Sequence, residues 1–290
     1  MSDLQARLKS LTPEQIRRLM AQKNRGTPPD AMAVGADGSV PASLAQERFW
    51  FLSRLYPDPP DYNIPLAVLV DGPHVDRATL QRNLDAVVAN QEILRTTFHE
   101  RDGKVVQVIH PPTSVQVEYE DRSDEYAAAG HPLVERLAVE HGATVFAVDK
   151  LPLLSVKLVK LAPSRHLVML NLHHLISDGW SNSLLSQMLS TPAHLPAPGA
   201  PPKQYRHFVE HERAWLKGDE CRAQLAFWQD LLRDPPQPPV FAHRPDDGVP
   251  ANAGGFVAVD LPTDLCERIA RHCSALGRTP FQYYMGCFAL

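Results

Sequence analysis

No apolar run in this 290-residue chain approaches the roughly twenty residues that a membrane span needs. No cluster of lysine and arginine marks a membrane surface or a nucleic-acid face either. The 29 basic and 33 acidic side chains leave a net charge of -4 and an isoelectric point near 6.3. The opening MSDLQARLKS carries charges where a secretory signal needs an apolar core. These absences point to a cytoplasmic chain without membrane or nucleic-acid partners. Cysteine is scarce, at four residues: Cys221, Cys266, Cys273 and Cys287. Cys266 and Cys273 are seven apart in a helical pattern, which reads as core rather than as metal ligands or a disulfide. What is present is ordinary for a globular chain, with 44% hydrophobic and 21% charged residues, enough for one or two cores.

Proline, at 27 residues, is plentiful and unevenly spread. Five prolines fall in 191–202 and six in 234–250, so neither stretch suits regular structure. The second reads as a long connection between lobes. Before Pro41, a short helix over 13–23 is expected, capped by Thr12, followed by a Gly/Pro-containing linker over 24–40. Ser43 then caps an amphipathic helix, SLAQERFWFLSRL, stopped by the prolines after Tyr56. IPLAVLV (64–70) reads as a buried strand. RATLQRNLDAVVAN (77–90) reads as a helix with Leu80, Leu84, Val87 and Val88 inward. LRTTFHE and KVVQVIH flank Arg101-Asp102-Gly103, a hairpin signal.

A helix near 132–141 precedes two further strands, LLSVKLVK and HLVMLNL. Helices are expected over 180–189, 204–217 and 221–233. GGFVAVDL (254–261) reads as a strand. TDLCERIARHCSAL reads as a helix with Thr263 as cap and Gly277 as stop. A last helix opens at Thr279-Pro280 and is still running at Leu290. The division expected is therefore 1–40, an N-terminal helix and linker or docking segment; 41–233, a first lobe; and 234–290, a connection and the beginning of a second lobe.

The sharpest local feature is His173-His174-Leu175-Ile176-Ser177-Asp178-Gly179-Trp180-Ser181. Two histidines leave the end of a strand, where consecutive side chains point to opposite faces. One imidazole then faces a cavity and the other the interior. Asp178 follows four residues after His174, and Gly179 allows a tight turn with an unobstructed N–H. An imidazole, a carboxylate and a free amide within seven residues suit acyl transfer. Three readings compete: a satisfied structural histidine pair, a metal site, and the His-x4-Asp pattern of glycerolipid acyltransferases formed by His173 and Asp178. A metal site needs three or four ligands, and no further Cys/His cluster has suggestive spacing. The glycerolipid reading wants a membrane-associated chain.

The motif's company resembles the condensation-domain family of nonribosomal peptide synthetases. Ser43-Leu44-Ala45-Gln46-Glu47-Arg48-Phe49-Trp50-Phe51-Leu52 is similar to the family's first motif, S-x-A-Q-x-R-L-W-x-L. Tyr62-Asn63-Ile64-Pro65 matches a stretch common after it. Glu92 to Phe98 matches the latter part of the second motif, R-H-E-x-L-R-T-x-F. His173 to Ser181 fits H-H-x-x-x-D-G-x-S at every fixed position, and Phe227-Trp228 with Leu231 resembles the helix after the fourth motif. The likeness runs from about Pro41 to Leu290. Three departures stand out. Asn90-Gln91 replaces the Arg-His of the second motif. Tyr205-Arg206-His207-Phe208 lacks the acid of Y-x-D-Y. The connection after Ser181 is short.

The resemblance implies an α/β fold: a chloramphenicol acetyltransferase-like two-layer sandwich lobe, with an incomplete second lobe and a tunnel between lobes. It implies amide formation, by attack of a carrier-bound amine on a carrier-bound thioester. His174 is then catalytic and Gly179 an oxyanion donor. His173, Asp178, Arg95 and Ser181 support the site, with Arg95 expected to form a buried ion pair with Asp178. Trp180, Gln46 and Arg48 are tunnel or motif residues, and Trp180 is expected in the core. No bound cofactor or metal is implied, because substrates arrive on the phosphopantetheine of donor and acceptor carrier domains within a larger synthetase. An epimerisation domain is the alternative, although Asn182 stands where that subtype carries tryptophan. A non-catalytic carrier-recruiting platform is the other. A heterocyclisation domain, with aspartate for histidine, does not fit. By itself the 290-residue chain is expected not to catalyse condensation.

Overall fold

The computed structural model describes residues 39–55, 62–72, 75–190, 203–235 and 258–289. The expected helix over 13–23, most of the linker after it and nearly all of the proline-rich stretches lie outside these residues. The chain divides into two compact units, Met1–Arg233 and Asp234–Leu290.

In the first unit, β1 (Ser39–Pro41) leads into helix α1 (Leu44–Leu55). Strand β2 (Asn63–Asp71) and helix α2 (Arg77–Asn90) follow. α2 holds the predicted span, with Leu80, Leu84, Val87 and Val88 buried. Its cap is Asp76, which accepts from the Thr79 N–H at 2.8 Å, a partner that the sequence pattern did not single out. A short 3-10 turn (Glu92–Arg95) feeds β3 (Thr96–Arg101) and β4 (Lys104–Ile109). These form the expected hairpin. Asp102 and Gly103 both take positive φ, 50° and 70°, the pair of left-handed residues that matches the twist of a two-residue turn.

Strand β5 (Val117–Asp121) and helix α3 (Ser123–Ala129) were not anticipated. Helix α4 (His131–Gly142), β6 (Leu154–Ala162), β7 (Arg165–His173) and α5 (Gly179–Ser190) complete the central part. Helices α6 (Tyr205–Leu216) and α7 (Asp219–Leu231) close the unit.

Two sheets result. The smaller has the order β1-β4-β3; the larger has the order β2-β7-β6-β5. β5 runs parallel to β6, so the chain needs a crossover, which α3 and α4 provide. Side chains alternate along β6 and β7. Val156, Leu158, Leu170 and Leu172 join Leu84, Val87, Leu185 and Leu189 of α2 and α5 in one core. Val159, Leu161, Leu167 and Met169 meet Leu133, Val134 and Leu137 of α4 on the other side. The α/β class holds, with helices on both faces of the larger sheet.

IPLAVLV forms β2 but is not buried as expected. Among the described residues β2 has only β7 beside it, and Val68 and Leu69 remain 41% and 42% exposed. An apolar run does not by itself distinguish an edge strand from a central one.

In the second unit, α8 (Thr263–Ala275) begins one residue earlier than expected, with Pro262 in the cap position and no side-chain cap bond. It ends as Gly277 predicts. The Arg278 N–H reaches Cys273 O at 2.8 Å and the Gly277 N–H reaches Ser274 O at 3.1 Å, with Gly277 at φ 63°. Thr279 and Gln282 cap α9 (Pro280–Phe288) reciprocally. Cys273 is buried, but Cys266 is exposed rather than in the core. Residues 258–261, expected as strand, carry no regular structure. No helix among the described residues is long and apolar enough to cross a membrane.

Candidate functional site

The site forms where β7 ends. β7 lies against β2, pairing His173 with Asn63, and the ladder is prolonged by the His174 N–H bonding Tyr62 O at 2.7 Å. Asn63 fixes this end by donating to the carbonyls of Gly142 and Thr144, at 2.9 and 2.6 Å. Strand alternation then separates the two imidazoles. His173 is buried, and its Nδ1 accepts the Leu175 N–H at 3.1 Å, so the ring is neutral with its proton on Nε2. Burial, with His174 beside it, pushes the His173 pKa down to about 4. His174 is partly exposed and stacks on Phe49, centroids 4.4 Å apart and planes 17° apart. Phe49 meets Tyr62 edge-on at 5.6 Å. Among the described residues the His174 ring nitrogens have no hydrogen-bond partner, so they are available to a substrate.

Asp178 is the cap of α5. Its Oδ1 accepts from the Ser181 N–H at 2.7 Å and from the Ser181 hydroxyl at 2.6 Å, while its carbonyl accepts from the Asn182 N–H at 3.0 Å. These bonds hold its carboxyl below the usual range, with a smaller contribution from His174. Arg95 is not its partner, which corrects the expected buried ion pair. The Arg95 guanidinium donates to His110 O, bracing the turn before β3 against the end of β4. The physical reason is local: the hydroxyl and N–H three residues on already satisfy an exposed carboxylate. Ser177 closes the loop by donating to Asn182 Oδ1 at 2.8 Å.

The Gly179 N–H, at the first turn of α5, has no acceptor among the described residues. A methyl group built on Gly179 would meet nothing within 4 Å. Trp180 is 76% exposed, so it is not core. Arg48 is also exposed.

Gln46 is 2% exposed, so it is no tunnel wall. Its Oε1 accepts the Ser43 N–H at 3.0 Å, and the Gln46 N–H returns to the Ser43 hydroxyl at 3.1 Å, a capping box at the start of α1. Its Nε2 donates to Leu175 O at 3.1 Å and to Gln107 Oε1 at 3.3 Å. Gln107 continues to Pro41 O at 2.9 Å. Phe49 and Asn182 belong to the site without having been expected in it, whereas Gln107 lies behind Gln46 in the buried layer and does not reach the loop. Phe49 had a signal: it stands three residues after Gln46, on the same helix face.

The departures from the family motifs meet in one place. The Gln204 side chain donates to Asn90 O and accepts from the Glu92 N–H, both at 2.9 Å. Arg206 pairs with Glu92 at 3.0 Å. His207, in place of the missing acid, accepts the Gln204 N–H at 3.0 Å to cap α6. Tyr205 reaches the Ser43 hydroxyl at 2.9 Å, and burial raises its pKa. Among the described residues no three His, Cys, Asp or Glu side chains form a group that could hold a metal ion.

Comparison with known proteins agrees with this geometry. The Condensation domain family matches residues 36–281. Chondramide synthase cmdD of Chondromyces crocatus is 34% identical over 86% of this chain, which corresponds to 6% of that protein. Phosphinothricin tripeptide synthetase PhsC of Streptomyces viridochromogenes is 30% identical over the whole chain, 28% of its own length. Among solved structures, the first condensation domain of the calcium-dependent antibiotic synthetase, in complex with a substrate analogue, superposes with a TM-score of 0.67. It is 24% identical, over 86% of this chain and 58% of that one. The starter condensation domain of rhizomide synthetase gives 0.60 at 20% identity, over 69% and 49%. The chain thus spans about half the length of these solved relatives and a small part of the synthetases. With its first and third motifs meeting at the end of β7 and the family matched over most of its length, this chain belongs to the Condensation domain family.

Proposed function

We propose that the site joins two carrier-bound substrates through an amide bond, with His174 as the reacting imidazole. The observation that carries this reading is the division of labour between the histidines. His173 is buried, neutral and committed to the Leu175 N–H, whereas His174 offers unbonded ring nitrogens beside the N-terminus of α5. The amine of the acceptor attacks the thioester carbonyl of the donor. The C–N bond forms, the C–S bond breaks, and the proton lost by the amine passes through the imidazole to the leaving sulfur. An α-amino group has a pKa near 7.7–8.0, so a useful share is neutral at pH 7 without prior deprotonation. His174 therefore orients the amine and accepts its proton as charge develops, a role worth about 10²–10⁴ in rate. The Gly179 N–H, at the positive end of α5, suits the developing oxyanion.

Donor and acceptor carrier domains of a synthetase are the partners in this reading, and their phosphopantetheine arms bring the substrates. The matched segments make up only 58% and 49% of the solved relatives, so these 290 residues alone are expected to turn over far more slowly than a domain of the relatives' length. The test supplies a loaded donor carrier and a loaded acceptor carrier, read by intact mass spectrometry. It uses this chain, and a chimera in which residues 36–281 replace the matching segment of a solved condensation domain. Transfer of the acyl group to the acceptor amine supports the reading, as does its loss by about 10² or more in His174→Ala. Transfer at an unchanged rate in His174→Ala would falsify it. Inversion of a single loaded carrier without transfer makes the site an epimerase.

A further inference from the structure

We propose that Gln46 is a positioning residue that holds the His174 loop against α1 through the carbonyl of Leu175. The inference rests on the reading of His174 given above. The orientation of the Gln46 amide follows from its partners. The Ser43 N–H can only donate, so it faces Oε1 at 3.0 Å. The Leu175 carbonyl can only accept, so it faces Nε2 at 3.1 Å. The second Nε2 hydrogen goes to Gln107 Oε1, and Gln107 is anchored on Pro41 O. Every polar atom of the Gln46 side chain is used, in a setting where an unmade bond is costly. Leu175 follows His174 directly. One residue before it, the chain is held by the His174 N–H on Tyr62 O. The backbone on both sides of His174 is therefore fixed from different elements, the start of β2 and α1. One turn of α1 later, Phe49 stacks on the His174 ring. The same helix thus sets the backbone beneath the imidazole and the face it rests on.

The consequence is specific. Gln46 does not touch substrate, so its loss acts through the placement of His174. A displacement of about 1 Å at a reacting group costs on the order of 10²-fold in rate. Gln107 serves as the control. It belongs to the same buried layer but does not bond the loop.

The test follows the His174 ring signals by NMR in histidine-labelled chain, assigned by their absence in His174→Ala. Stacking on Phe49 displaces these signals upfield. In Gln46→Met the displacement collapses, because the near-isosteric side chain cannot hold Leu175 O. In Gln107→Met it persists. Circular dichroism establishes that each variant is folded. Should Gln46→Met not fold, Gln46→Glu keeps an acceptor for the Ser43 N–H while an ionised carboxylate cannot donate to Leu175 O. In the carrier assay, kcat falls by about 10² in the Gln46 variant with KM unchanged, and stays within about threefold in Gln107→Met. Unchanged ring signals and kcat in a folded Gln46 variant overturn the inference, as do equal losses in the Gln107 variant. If His174→Ala keeps full turnover, the catalytic reading fails instead, and the ring signals still report whether Gln46 holds the loop.

Discussion

Replacing Asp178 by alanine removes the cap of α5, and the structure sets the scale of the loss. The carboxylate is exposed and accepts two hydrogen bonds from Ser181, at 2.7 and 2.6 Å. An N-cap aspartate is typically worth about 1 kcal/mol, within a range of about 0.5–2. For a folded unit of this size that lowers the melting temperature by about 2–4 °C. A buried ion pair broken on one side would cost about 3–5 kcal/mol. The two cases differ enough for a thermal melt to separate them. Asp178→Asn sharpens the comparison, because asparagine caps about as well as aspartate and should keep most of the stability. Double-mutant cycles complete the test. Asp178 with Ser181 should show coupling above about 0.5 kcal/mol, whereas Asp178 with Arg95 should be additive within about 0.5. The contribution also depends on pH. The folded pKa lies below the unfolded value near 3.9, so the stabilisation is complete above that pH and fades as pH falls through the folded value. An Asp178–Arg95 coupling above about 1 kcal/mol would refute the capping argument.

His173 gives a second pH signature. Its folded pKa is about 4, below the ordinary 6.5, so the unfolded chain binds the proton more readily. Stability is full above about pH 6.5 and falls by about 1.4 kcal/mol per pH unit down to about pH 4, read from urea midpoints. A His173→Asn variant that keeps the same slope would point to another group. Trp180→Ala should change stability by less than about 0.5 kcal/mol, read from the thermal melt, because the indole is 76% exposed. A large loss of stability there would mean that the ring is packed.

Local chemistry was legible in the sequence because its partners are close along the chain. The 3.6-residue spacing of Leu80, Leu84, Val87 and Val88 defines the buried face of α2. Asp102-Gly103 closes the β3–β4 hairpin because that turn requires left-handed residues. The alternation of a strand separates His173 from His174 before any contact is known. Gly277 stops α8 for a similarly local reason.

Tertiary structure decided which distant groups meet. Sequence supplied a carboxylate at Asp178 and cations elsewhere, but charge complementarity carries no distance, and the carboxylate is satisfied by Ser181 instead. The apolar run of β2 fits a central strand as well as an edge; only pairing with β7 alone among the described residues makes it an edge. Trp180 follows the same logic, since an aromatic side chain near a helix start is buried only if something lies over it. Gln46 was visible as a motif residue, yet its task depends on α1 lying within reach of the Leu175 carbonyl. Helix periods and turn signals encode how the backbone bends over a few residues. Contacts between residues far apart in sequence exist only once whole elements pack, and no short pattern specifies that packing.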